Sequence, residues 1–501
     1  MKNIKIYLFA IVSGLLTVSC NDAIDLVQAG ELYPSTAFET VNDLQLGLNG
    51  VYAYARDEAA IEFSSIFTDE VAIGIANGGQ GRSGELTFVL NTTSDAPYAI
   101  WQQYYKLIAN ANRIIEAGAA ITPEENEVES LNKILAEAHA LRAYGHLQLM
   151  TYFCTDMKND GSLGVIALDH VTTTTEFLPR NTAGEVFTLI NADLDFADAN
   201  LPTVISTAER FYISKYFITA FRARLAAYRG QYASARTYAE SLIGTGAGKY
   251  KLSTKGTSAS NQYYQNIFKD VPITATINNE VIFNFSRIAG DANFAGVWAS
   301  LNSTVNGSAF YEVGRALYNA VAANPADVRI KVIADPTSII DPNYQSSTNY
   351  IATDIITVGK YPGSNNTNLS NDVKVFRISE MYFIIAEAQA SAGDYAGAAA
   401  SISAVRTARF GTPVTVQYNT AQEAWAGILD ERRIELAFEG FRYIDLKRLG
   451  TLAGKGIDRD PKDCEVLNGL CSIPTTDYRF TMPIPRAEIS INPNIQQNPG
   501  Y

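Results

Sequence analysis

Three histidines, His139, His146 and His170, are all the imidazole chemistry available to this 501-residue chain. His139 and His146 lie on one side of a helical pattern that also carries leucines, and neither belongs to a His-Glu-x-x-His zinc pattern. No Gly-x-Ser-x-Gly elbow, phosphate-binding glycine loop or dinucleotide fingerprint occurs. The stretch from Gly74 to Gly84 is glycine-rich but lacks the Lys-Ser/Thr ending of a phosphate loop. Asp458, Asp460 and Asp463 offer oxygen ligands, yet Pro461 and the short loop suit a solvated turn better than a calcium site. A glycosidase needs only two carboxylates. The 52 acidic residues supply many pairs, and nothing singles one out. The sequence therefore predicts no enzyme, no cofactor and no metal site.

Aromatic rings are plentiful instead: 28 Tyr, 23 Phe and 3 Trp. Sugar rings present apolar C–H faces, and a flat side chain packs against them with large contact area and little entropy loss. Trp298, in Ala292-Asn293-Phe294-Ala295-Gly296-Val297-Trp298, and the pair Phe310-Tyr311 fall in a stretch that reads as loop. They are candidate ligand contacts. Trp101 and Trp425 sit in helical patterns among apolar residues and read as core.

Charged residues are 18% of the chain, and the formal charge is −13. With no Lys/Arg-rich run, nucleic-acid binding is excluded. At the N-terminus, Lys2 and Lys5 precede an apolar run from Ile6 to Val18, which is the order of a secretory signal over residues 1–19. A spanning helix would need ~20 apolar residues. Thr17-Val18-Ser19-Cys20 resembles a lipoprotein lipobox, although Val18 is larger than that pattern prefers. Cys20 would then carry the lipid, and Asn21 to Asp25 resembles the acidic stretch that follows the lipidated Cys in surface-exported lipoproteins. Cys464 and Cys471 share a Gly/Pro/Asp-rich stretch, where an exported chain can close a local disulfide. Cys154 ends an apolar helix pattern and reads as a core thiol.

The elements that must position these residues are mostly helices. Leu131, Ile134, Leu135, Ala138 and Leu141 recur at helical spacing, and similar patterns predict helices at about 41–56, 97–119, 182–200, 211–229, 372–392 and 420–447. The section from about 245 to 370 is rich in Gly, Ser, Thr, Asn and Pro, with strand-like pieces such as Val281 to Phe285. Two segments repeat each other: Ala223-x3-Ala227-x2-Gly230-x-Tyr232-x2-Ala235 and Ala386-x3-Ala390-x2-Gly393-x-Tyr395-x2-Ala398. Gly ends a helix, the aromatic wedges between helices, and Ala lets them approach, a pattern that resembles a tetratricopeptide hairpin. The fold class predicted is mainly α, a tetratricopeptide-like helical half with an irregular loop-rich half carrying small β elements.

Three further stretches, with Leu48-Asn49-Gly50-Val51-Tyr52-Ala53, carry a family resemblance. They are Leu141-Arg142-Ala143-Tyr144-Gly145-His146 through Leu149, Glu431-Arg432-Arg433-Ile434-Glu435 through Arg448, and the tail from Pro483-Ile484-Pro485-Arg486 through Asn492-Pro493-Asn494 to Asn498-Pro499-Gly500-Tyr501. Together they resemble the RagB/SusD family of outer-membrane nutrient-binding lipoproteins. The resemblance implies a surface-exposed lipoprotein of the outer membrane that binds glycans, or peptides in some branches, and passes them to a SusC-like TonB-dependent transporter. It also implies ligand contacts around Tyr98 and Arg82, where a guanidinium would bond hydroxyls or pair with an acidic sugar, and in the section holding Trp298. The regions expected are 20–240 (N-terminal helical), 241–370 (loop-rich, with the ligand site) and 371–501 (C-terminal). The signature charges of 428–448 read as structural, with Glu439–Arg442 and Asp445–Arg448 as exposed i, i+3 pairs worth a few tenths of a kcal/mol; an anion site at Arg432-Arg433 is the other reading. A peptide-binding member and a purely protein–protein scaffold stand as alternatives to the glycan binder.

Overall fold

A computed structural model of the chain describes residues 37–74, 84–202, 209–244, 250–256, 262–271, 280–287, 310–363, 370–467 and 469–501. The expected signal segment 1–19, Cys20, Arg82 and Trp298 lie outside the described residues.

Helices make up about 53% of the chain, with only small strands between them. The first five among the described residues are α1 (Val41–Tyr54), α2 (Glu58–Phe67), α3 (Asp95–Ala120), α4 (Val128–Phe153) and α5 (Ala183–Asn200). Their starts follow from local chemistry. Thr40 and Thr182 each form a capping box, with Asp43 and Glu185 three residues on returning the bond, so helix-end N–H groups are satisfied without tertiary help. The histidines belong to this packing. His146 is buried, with Nδ1 against the Arg142 carbonyl and Nε2 accepting from Leu168 N, while His139 pairs with Asp193 at 2.6 Å.

The sequence repeat becomes two helical hairpins. Helix α6 (Lys215–Tyr228) turns at Gly230 into α7 (Tyr232–Leu242). After a helix α8 (Arg315–Ala322) in the irregular half, α9 (Ile378–Ser391) turns at Gly393 into α10 (Tyr395–Phe410). Gly230 and Gly393 have φ of 71° and 79°, the left-handed conformation that only glycine takes without cost. The repeat alanines 223, 227, 235, 386, 390 and 398 are all buried, and α9 packs against both α6 and α7, so the hairpins stack. No helix among the described residues is long and apolar enough to cross a membrane.

Two expected helices are corrected. Near the start of the segment expected at 372–392, Val373–Arg377 forms a strand antiparallel to Val281–Phe285. Every residue of both strands is buried; Val281–Phe285 is the strand-like piece the sequence predicts, and its partner is the strand that the helical pattern hid.

The helix expected at 420–447 is two: α11 (Ala421–Glu435) and α12 (Arg442–Ala453). Phe438 and Gly440 take φ of 62° and 85° at the break. A left-handed phenylalanine costs ~1 kcal/mol or more; it is held by its N–H to Glu70 and by Tyr361, whose hydroxyl donates to its carbonyl.

The break turns the signature charges inward. Glu435 accepts from Arg377 and Arg409 at 2.9 and 2.7 Å, and Glu280 accepts from the same two arginines at 2.7 and 2.8 Å. Arg329 reaches Glu431 at 2.6 Å. Glu439 pairs with Arg377 and Lys360, both at 2.8 Å, rather than with Arg442, which clasps Asp69 at 2.7 and 2.9 Å. The Asp445–Arg448 pair does form, at 2.9 Å, but it is buried beside Arg432 and Glu387 instead of exposed. Burial alone would raise the Glu435 carboxyl; Arg409 and Arg377 more than offset it and hold it well below the usual range. Lys447, pushed down to about 8 by burial, donates to the Thr151 and Cys154 carbonyls and so caps the C-terminus of α4.

Candidate ligand-binding face

The irregular half is organised by a β layer whose members are far apart in sequence. Strand β1 (Val71–Ile73) pairs antiparallel with β2 (Tyr311–Val313), Ile73 opposite Tyr311. Val313 N donates to Ile356 O at 2.8 Å, and the buried Glu312 carboxylate accepts from Ile356 N at 2.9 Å. The 355–358 segment in turn bridges to 334–339, with Ile355 opposite Ile339 and Val358 opposite Ala334. Past that edge opens a groove of about 520 Å³, lined by Phe268, Lys269, Tyr318, Lys331, Pro336 and Pro362. Tyr318 projects from α8, which begins two residues after β2, and the Arg315 guanidinium lies 5.0 Å from its ring. A half-buried ring with two exposed lysines and proline walls offers a flat apolar face and polar donors side by side.

Gly74 N donates to Phe310 O at 3.0 Å, which closes the open end of the β1–β2 ribbon. Phe310 is half-buried, its ring edge-on to Tyr311 at 5.3 Å. Tyr311 departs from the expectation of an exposed ring, since it is 2% exposed. It begins the strand instead of ending the loop, and all three β2 side chains are packed. Tyr98 is 43% exposed on the first turn of α3, with its hydroxyl accepting from Gln102 at 3.0 Å. No contact joins it to Phe310 or Tyr311 among the described residues. Tyr318 escaped notice in the sequence because it falls in a helical pattern, and only its position after a strand would have marked it.

Other chemistry-bearing groups are committed elsewhere. Asp460 caps a short helix and accepts from Tyr344 at 2.8 Å, whereas buried Asp463 accepts from Arg315 N at 2.8 Å. The three aspartates thus do not converge. Burial pushes Asp463 and Glu70 up to about 7, but both are enclosed by protein and act as packing acids. Another cleft, about 570 Å³, contains Arg433, Arg442 and Lys455, which pair with Asp69, Asp69 and Asp430. Arg432 is buried against Asp445. Arg432 and Arg433 are thus each committed to a carboxylate, as the structural reading expects, with Asp69 shared between Arg433 and Arg442. Cys464 and Cys471 form a disulfide, and Cys154 is a buried free thiol. Trp101 and Trp425 are core, as read from their helical patterns.

Comparison with known proteins fits this architecture. A family profile described as "SusD family" matches residues 329–501, and one described as "Starch-binding associating with outer membrane" matches residues 34–226. SusD-like protein P2 of Formosa agariphila is 27% identical over 539 residues, covering 100% of both chains. A SusD superfamily crystal structure from Bacteroides thetaiotaomicron superposes with a TM-score of 0.75 at 24% identity, over 92% of this chain and 100% of that one. A laminarin-binding SusD-like protein gives a TM-score of 0.69 at 23% identity, over 93% of this chain and 100% of that one. Signature motifs, stacked hairpins and full-length relatives agree: the chain belongs to the SusD family.

Proposed function

We propose that this chain is a surface-exposed lipoprotein of the outer membrane, anchored through Cys20, that binds oligosaccharide nutrients. It delivers them without chemistry to a SusC-like TonB-dependent transporter. Regions 20–240 and 371–501 form the scaffold, and 241–370 carries most of the ligand face. The observation that carries this reading is the Gly74–Phe310 hydrogen bond with its ribbon. The segment bearing Arg82 leaves, and the segment bearing Trp298 returns, at neighbouring points of one β layer. That layer lies in a family whose matching profile is described as starch-binding and which includes a laminarin-binding neighbour. Arg82, Trp298 and Phe310 are then the ligand contacts of the face, with Tyr318 lining its adjoining groove; Tyr98 stands on another surface, and Tyr311 supports Phe310 from below.

Affinity electrophoresis of the full chain through laminarin, starch, mannan and xylan tests this. Retardation by at least one polysaccharide, weakened at least tenfold by Trp298→Ala, is the expected outcome. Retention of peptides and of no polysaccharide would replace it with the peptide-binding reading. Cys20→Ala should abolish incorporation of labelled fatty acid and release the protein from membranes.

A further inference from the structure

A second groove, about 620 Å³, lies between α3, the 166–178 loop and the C-terminal tail. It shares no lining residue with the groove beside Tyr318. From its geometry we infer that it is a second carbohydrate site, taking a neutral oligosaccharide chain; this rests on the glycan-binding reading of the protein.

The site is built before any ligand arrives. The family tail motif supplies one wall and fastens it to the loop at successive residues: Asn492 donates to Leu178 O and Asn494 to Phe177 O, both at 2.7 Å. On its other side the loop is tied to α3. Tyr105 donates to Ile166 O at 3.1 Å and accepts from Ile166 N at 2.8 Å, and Asn112 donates to His170 O at 2.8 Å. Within the loop, His170 bridges Asp169 and Glu176 at 2.8 and 2.9 Å. A wall fixed on both sides needs little further ordering when a ligand binds. Its volume is in the range of small-ligand sites.

The lining has the chemistry of a sugar site. Phe177 is 40% and Ile491 69% exposed, and Val171 and Tyr98 are exposed close by, a concentration of apolar surface that a monomer normally covers. Between these lie the Gln102 amide, the Thr172 and Thr174 hydroxyls and the Glu176 and Glu488 carboxylates. Trp101 closes the floor, its indole hydrogen-bonded to Glu488, whose carboxyl burial raises. The one lysine in the lining, Lys106, is drawn over the Tyr54 ring at 4.6 Å. With two carboxylates and a lysine held aside, the groove disfavours acidic sugars and phosphates. A purely apolar partner segment would strip water from amide, hydroxyl and carboxylate without replacing their hydrogen bonds. Sugar hydroxyls replace them while the ring face packs on Phe177.

Isothermal titration of the full chain with neutral heptasaccharides (β-1,3-glucan, α-1,4-glucan, mannan and xylan) decides the matter. The expected result is two molecules bound per chain for at least one of them. Phe177→Ala and Glu488→Gln should each weaken one of the two sites by about tenfold, with Trp298→Ala weakening only the other. Phe177→Trp should restore the affected site, which a merely disturbed fold would not permit. Two-site binding unchanged by Phe177→Ala and Glu488→Gln, or binding of one molecule that only Trp298→Ala reduces, overturns the second site and leaves the proposed function standing. Binding of none of the four overturns both.

Discussion

The ion-pair knot beneath α11 and α12 and the two grooves use the same residue types to opposite ends. In the knot, Arg377, Arg409 and Glu435 are buried and each meets two or more partners. In the grooves, Lys331, Glu176 and Gln102 keep surface and spare hydrogen-bonding capacity. A guanidinium whose donors are all used holds a fold but has nothing left for a ligand. The residues that mark the SusD family around Glu431 to Arg448 are mostly structural, while the polar groups left open to solvent are on loop and rim residues that no motif fixes.

The largest effect expected on that contrast is in the knot. Arg409→Ala leaves Glu280 and Glu435 short of a partner in a dry site and should cost about 3–5 kcal/mol of stability, read by chemical denaturation, with glycan affinity of the folded fraction unchanged. Next comes the Phe310-Tyr311 pair, which the structure splits. Tyr311→Ala should cost about 3 kcal/mol, in keeping with a buried ring. Phe310→Ala should cost under ~1 kcal/mol and lower glycan affinity instead. Equal losses of stability would contradict the placement of Tyr311 as core and Phe310 as rim.

The pH dependence probes the same divide between enclosed and open acids. The folded-state pKa of Glu70, about 7, lies above its ordinary 4.5. The stability its protonated form contributes is therefore fully present below pH 4.5 and lost as pH rises through about 7. Against Glu70→Gln, which stays neutral, the native chain should lose about 3 kcal/mol between pH 4.5 and 8. Parallel stability curves for the two would show that Glu70 is solvated. The smallest effect belongs to the hairpin turns. A Cβ on Gly393 meets nothing within 4 Å, so Gly393→Ala should cost only the left-handed backbone term, about 1 kcal/mol.

Much of the helical half was legible because its signals are local. The repeat put Gly230 and Gly393 at turns and its alanines at helix contacts, and the apolar spacing at 182–200 matched α5. What the sequence hid was non-local. Val373 to Arg377 runs straight into α9 with no Gly or Pro between them, and a partner nearly a hundred residues away makes it a strand. The charged run of α11 and α12 has the look of a solvated face; Arg329, Arg377 and Arg409 on other elements are what allow it to be buried. Phe310 lies half-buried at the edge of the β layer, and Tyr98 is exposed on another surface. Tyr311 is buried because the strand begins there, at the end of a Ser/Asn/Gly-rich stretch that hides it, and the tail groove has no sequence signal because its walls come from three separate parts of the chain.

Binding without chemistry is the claim on which the rest depends, and one experiment reaches it directly. The full chain is incubated with the polysaccharide it retains best, then assayed in the same sample for retained polymer and for newly formed reducing ends. The expected result is polymer held by the native protein, lost with Trp298→Ala, and no reducing ends above a protein-free control. Failure to retain any of the four polysaccharides, or release of reducing ends that scales with protein concentration, would contradict it.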